Sequence, residues 1–178
     1  MLKDEIDSLA PGRDFSRRGF VQGAAVTAAA ALMPLSALAA SGDYEAMVLS
    51  CIDPRFQKPV ADAMAKRGLT GKYSAFVIAG ASIGVVAPAF KDWSKAFWDN
   101  LGASIQLHSI KSVIVMNHRD CGAAKIAYGD AAVATAAKET ETHRMALAEF
   151  RKQMGEKQPK LKVETGLMAL DGKIDMFT

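Results

Sequence analysis

The feature that most limits what this chain can fold into is an alternation of two hydrophobic periods. Ala46-Met47-Val48-Leu49-Ser50, Tyr73 to Ile78 and Ser112 to Met116 are short continuous apolar runs of strand length, two of them rich in β-branched residues. Between them the period changes to that of a helix. Val60, Met64 and Leu69 predict a short helix introduced by Pro59, with Gly68 near its end. Phe90, Trp93, Phe97, Leu101 and Ile105 recur every three or four residues and predict a wide apolar stripe that packs into the core. His143, Leu147, Phe150 and Met154 mark one face of another helix, and Leu161 to Leu170 supply a last strand before an Asp171-Gly172 turn. Strands buried on both faces and separated by helices imply an α/β fold. The expectation is a single domain with an open, mainly parallel sheet of about four to five strands flanked by helices.

Composition narrows the function classes. The 178 residues carry 22 Lys and Arg against 19 Asp and Glu, a formal charge of +3, and include only two cysteines. No basic stripe interleaved with aromatic residues is present, so nucleic acid is not an expected partner. Two cysteines exclude a disulfide-dense scaffold but permit one bridge or part of a mixed metal site.

The N-terminal region reads differently from the rest. Ser16-Arg17-Arg18-Gly19-Phe20-Val21 precedes an Ala-rich apolar stretch from Gly23 to Leu38, which closes on Ala37-Leu38-Ala39. This predicts an export signal over 1–39 of twin-arginine type, directing the domain at 40–178 to a bacterial periplasm. A permanent membrane anchor is the competing reading. Gln22, Thr27, Pro34 and the excess of Ala over Leu weaken it, so no stable membrane insertion is expected after cleavage.

Residues suited to chemistry cluster where such a sheet places a site. Cys51, Asp53 and Arg55 follow the first strand at alternate positions, so while the chain stays extended their side chains point the same way. His118 and Cys121 follow the third strand, with Gly122 opening the next helix. Ligands of open parallel sheets bind beyond the carboxyl ends of the strands, where both clusters should meet. Two thiolates and an imidazole suit Zn²⁺ and leave one tetrahedral position free, an arrangement found in catalytic zinc sites. A Cys51–Cys121 disulfide is the alternative. His108 and His143 show no spacing that marks them for function.

The motifs Cys51-Ile52-Asp53-Pro54-Arg55 and His118-Arg119-Asp120-Cys121-Gly122 resemble the Cys-x-Asp-x-Arg and His-x-x-Cys-Gly signatures of β-class carbonic anhydrases. The stretch from Leu107 to His118 and the closing Gly166 to Ile174 are also similar to that family, so the likeness runs from about Tyr44 to Ile174. It implies zinc held by Cys51, His118 and Cys121, with Asp53 and Arg55 as a catalytic pair, and reversible hydration of carbon dioxide to bicarbonate by zinc-bound hydroxide. Two departures stand out. Pro54 replaces the usual Ser or Ala, and Ile78-Ala79-Gly80-Ala81-Ser82 only partly echoes an Arg-Asn-Ala-Gly-Asn segment. They favour a second reading, a non-enzymatic or redox-responsive zinc protein. A third is a zinc hydrolase of carbonyl sulfide or carbon disulfide. Trp93, Phe97 and Trp98 are expected to cover a face shared with a second subunit, giving a homodimer or higher homo-oligomer, as the resemblance also implies.

Overall fold

The computed structural model describes residues 44–178; the export signal expected over 1–39 lies outside the described residues. The chain runs β1 (Ala46–Ser50), α1 (Pro54–Lys66), β2 (Tyr73–Val77), α2 (Ser82–Val86), a 3-10 turn (Pro88–Phe90), α3 (Lys91–His108) and β3 (Ser112–His118). It continues through α4 (Gly122–Tyr128), a 3-10 turn (Asp130–Ala132), α5 (Ala136–Lys157), β4 (Lys162–Met168) and β5 (Ile174–Phe177). The sheet order is β2-β1-β3-β4-β5, parallel from β2 to β4, with β5 antiparallel to β4. The α/β class, the single domain and the mainly parallel sheet are as the sequence predicts.

The alternation of side chains along the strands builds two cores. Val48, Ile114 and Met116 face α1, which buries Phe56, Val60 and Met64 one turn apart. Met47, Leu49, Val113 and Val115 face the opposite way onto Phe97 and Leu101 of α3 and Leu147, Phe150 and Met154 of α5. Both faces of the central strands are therefore dry, which is why these strands read as unbroken apolar runs.

Three sequence expectations need correction. The first helix starts at Pro54 rather than Pro59, because the Asp53 carboxylate caps it by accepting from the Arg55 N–H at 2.9 Å, and Pro54 sits where no N–H is needed. Pro59 lies inside the helix, which forgoes one backbone bond there. The last strand ends at Met168, and a turn closed by Ala169 N–H to Lys173 O at 2.8 Å returns the chain as β5. Phe97 is fully buried in its own chain, in edge contact with Phe76, Trp98 and Phe150, so it cannot serve a subunit face. Trp98 is also engaged internally, with the Lys157 ammonium 4.3 Å from its ring centroid. Trp93 alone of the three is an exposed large aromatic, stacked on Phe90.

Strand order sets the position of the site. The chain leaves β1 for β2 on one side and then crosses back to β3 on the other. The connections after β1 and β3 therefore diverge, opening a crevice at the carboxyl ends of these two strands.

Candidate metal centre

Each end of that crevice contributes through ordinary local structure. Cys51 is the first residue past β1, and His118 is the last of β3. Cys121 occupies the N-cap position of α4. Sulfur, imidazole nitrogen and sulfur lie within 4.8 Å of one another, and all three residues are buried. Donors so close can share one ion, whose bonds to nitrogen and sulfur run about 2.0–2.3 Å. Both cysteines are free thiols.

The imidazole is set for such a role. His118 Nδ1–H donates to the Arg119 carbonyl at 2.7 Å, which fixes the tautomer and leaves the lone pair on Nε2. Among the described residues nothing partners that buried nitrogen. An orphaned buried acceptor beside two thiols is what a soft-metal ligand set requires, so the residues fit a zinc-type ion.

The two sulfurs lie close enough to act on each other's protons. The Cys121 thiol beside it is the largest influence lowering Cys51, against the opposing effect of burial. His118 and the Gly80 N–H, 3.2 Å from the sulfur, assist. Cys121 is pushed up for the reciprocal reason and by burial. Burial disfavours a charged His118, but the adjacent Cys51 sulfur outweighs it and raises its pKa.

Asp53 and Arg55 meet, although not by the extended geometry expected from their spacing. The chain has already turned into α1, and the cap brings them together. Arg55 Nη2 and Nε reach the Asp53 carboxylate at 2.7 and 3.1 Å. Hydrogen bonding from Arg55 is the first cause holding the Asp53 carboxyl at about 2, and the same contact raises Arg55.

Two carboxylates that sequence reasoning missed complete the arrangement. Asp120 Oδ2 accepts from Arg55 Nη1 at 2.8 Å, so one guanidinium is held between two acids. Asp120 has φ 56°, a conformation that costs a residue with a Cβ, and its N–H is held by Glu139 Oε1 of α5 at 2.5 Å. Glu139 Oε2 in turn accepts from Arg119 at 3.1 Å. Asp120 lies inside the His-x-x-Cys motif and could have been suspected. Glu139 sits in an ordinary charged run of α5 and gave no sign.

Two clefts reach this centre. One, about 350 Å³, is lined by Asp53, Arg55, Asp120, Cys121, Lys125 and Glu139 among others. The other, about 340 Å³, is mostly apolar, with Cys51, Ile52, Ala79, Phe90, Trp93 and Ile126 on its walls. A larger cavity of about 560 Å³ between α1 and β5 contains none of the candidate site residues.

The sequence profile of a family described as "Putative carbonic anhydrase" matches residues 42–165, a span that includes both motifs. This chain belongs to that carbonic anhydrase family. An uncharacterized protein of Rickettsia bellii is 36% identical over 131 residues, covering 74% of this chain and 80% of the relative. Among solved structures, a β-carbonic anhydrase of Aspergillus fumigatus superposes with a TM-score of 0.53 at 13% identity, over 81% of this chain and 80% of the other. A tetrameric β-carbonic anhydrase of Sordaria macrospora gives a TM-score of 0.51 at 12% identity, over 80% and 84%. At such identities the superpositions show a shared fold, and they match the carbonic anhydrase sheet and its flanking helices.

Proposed function

We propose that this protein is a zinc-dependent carbonic anhydrase that interconverts carbon dioxide and bicarbonate. The observation that carries the reading is the buried, unpartnered Nε2 of His118 beside the sulfurs of Cys51 and Cys121. These three residues would hold the ion. Bound there, Zn²⁺ would supply a Lewis acid that lowers the pKa of water and makes it a nucleophile.

The chain's own groups do the rest. Asp53, held ionised by Arg55, is an acceptor that orients water beside the site. Arg55 offsets the Asp53 charge, which would otherwise repel an anion forming nearby. The apolar cleft admits a neutral linear molecule without desolvating ions. Two thiolates cancel the charge of a divalent ion, so the site draws protons from water less strongly than a three-histidine site, and turnover should rise toward alkaline pH.

Homo-oligomers and export belong to the same proposal. Ile52, Val77, Trp93 and Ile126 are exposed around adjoining clefts, and β2 is an edge strand beside them. The Ser16-Arg17-Arg18-Gly19-Phe20 sequence supports twin-arginine export. No helix among the described residues is long and apolar enough to cross a membrane. Stopped-flow hydration of carbon dioxide by the zinc-loaded protein, from neutral to alkaline pH, tests the activity. Turnover rising with pH is expected; zinc without turnover would leave a zinc-binding scaffold, and turnover of carbonyl sulfide or carbon disulfide alone would reassign the substrate.

A further inference from the structure

The turn leading into α2 is held in a costly conformation. Ala81 has φ 51° and ψ −113°, a combination that residues with a Cβ rarely adopt, and Gly80 before it has φ 79°. A Cβ on Gly80 would lie 2.9 Å from that of Ala123, so this backbone is pressed against α4 where only glycine fits. Strain of this kind persists only where surrounding groups fix it.

The groups that fix it form a buried chain. Ser82 donates its N–H and its hydroxyl to Asn117 Oδ1, at 3.1 and 2.9 Å. With its oxygen so occupied, the Asn117 amide presents its NH₂ to His143 Nδ1 at 3.0 Å, which makes Nδ1 the acceptor and places the imidazole proton on Nε2. Ser82, Asn117 and His143 are all fully or almost fully buried. The chain thus links α5 through β3 to the start of α2, and Asn117 immediately precedes His118. One residue before the strained Ala81, the Gly80 N–H points at the sulfur of Cys51.

We propose that Ser82, Asn117 and His143 are positioning residues of the metal centre, clamping the Gly80-Ala81-Ser82 turn so that the Gly80 N–H stays on the Cys51 sulfur. The proposal rests on the reading of Cys51 as a metal ligand. An N–H donated to a ligand thiolate withdraws charge from the sulfur and leaves the ion a stronger Lewis acid. That matters most in a site where two thiolates already weaken it. It also gives the altered 78–82 segment a task that depends on Gly80 and Ser82 rather than on the Arg and Asn side chains absent from it.

The test uses Co²⁺ in place of zinc, read by the sulfur-to-cobalt charge-transfer band, together with amide hydrogen exchange at Gly80 in the protein as purified. Ser82→Ala removes one of the two bonds to Asn117. It should bind cobalt, shift the band to longer wavelength and speed Gly80 exchange about fivefold, the equivalent of one neutral hydrogen bond. Asn117→Leu should move both readouts further; if it does not fold, Ser82→Ala decides alone. An unchanged band with unchanged Gly80 exchange overturns the proposal. Failure of the unaltered protein to bind cobalt overturns the metal reading instead, and Gly80 exchange in the same pair of proteins still decides whether the clamp exists.

Discussion

Of their lining residues, the two clefts share Asp53 and Gly122 alone. On one side the walls are Arg55, Asp120, Lys125 and Glu139; on the other they are Ile52, Ala79, Phe90, Trp93 and Ile126. The polar side is held by charge-assisted bonds from Arg55 to Asp53 and Asp120. The apolar side makes no demands on a neutral guest and would penalise an ion. The contrast teaches how, under the proposed activity, one centre would keep a neutral substrate and a charged product on different walls, with Asp53 lining both clefts.

The largest effect should come from the polar side. Arg55→Ala is expected to lower kcat by about two orders of magnitude, the usual cost of losing a placed electrostatic group, while bound zinc is retained. Steady-state rates with metal analysis check this, and full turnover in the variant would break the division of roles. On the apolar side, Ile52→Asn should raise KM for carbon dioxide about tenfold and leave kcat within about twofold, as a polar group in an apolar passage does. A fall in kcat with constant KM would instead place Ile52 in the chemistry.

Smaller effects concern how the polar wall is held. Glu139→Gln keeps an acceptor for the Asp120 N–H but loses the charge facing Arg119, and should cost about 1–3 kcal/mol in urea unfolding. Comparable in size is a pH effect at His143, whose pKa is lowered to about 4 by burial first and by His118 and Arg119 next. The folded imidazole resists a proton that the unfolded one accepts from about 6.5 downward. Its stabilising contribution is therefore complete above about 6.5 and is lost as pH falls toward 4, with a slope of at most about 1.4 kcal/mol per pH unit. Asp53 acts lower. Held at about 2, it contributes fully above its ordinary 3.8 and loses that contribution as pH falls through 2. Unfolding of His143→Gln across mildly acidic pH should show a flatter slope than the unaltered protein; identical slopes would contradict the buried neutral imidazole.

What the sequence made legible is local. The apolar runs at 46–50 and 112–116 became strands because burial on both faces leaves no polar alternation to confuse them. The residues just past them then fall at the crevice by topology alone. Pro59 reads as a helix start, yet the Asp53-Pro54 cap is the stronger signal and opens α1 five residues earlier. β5 escaped notice because Ile174-Asp175-Met176-Phe177 is short and half exposed. The rest was out of reach for a physical reason. Asp120 grips Arg55 across 65 residues of sequence, and Asn117 grips Ser82 across 35, and no local pattern encodes either contact. His143 read as unremarkable for the same reason, since its Asn117 partner is brought to it only by the packing of α5 on β3.

The central claim is that Cys51, His118 and Cys121 close on a single ion. Metal analysis and intact mass of the purified protein, beside Cys121→Ser, test it most directly. One zinc per chain in the unaltered protein and loss of that zinc in the variant are predicted. A chain without zinc whose mass is lower by two protons, the mark of Cys51 bonded to Cys121, would contradict it.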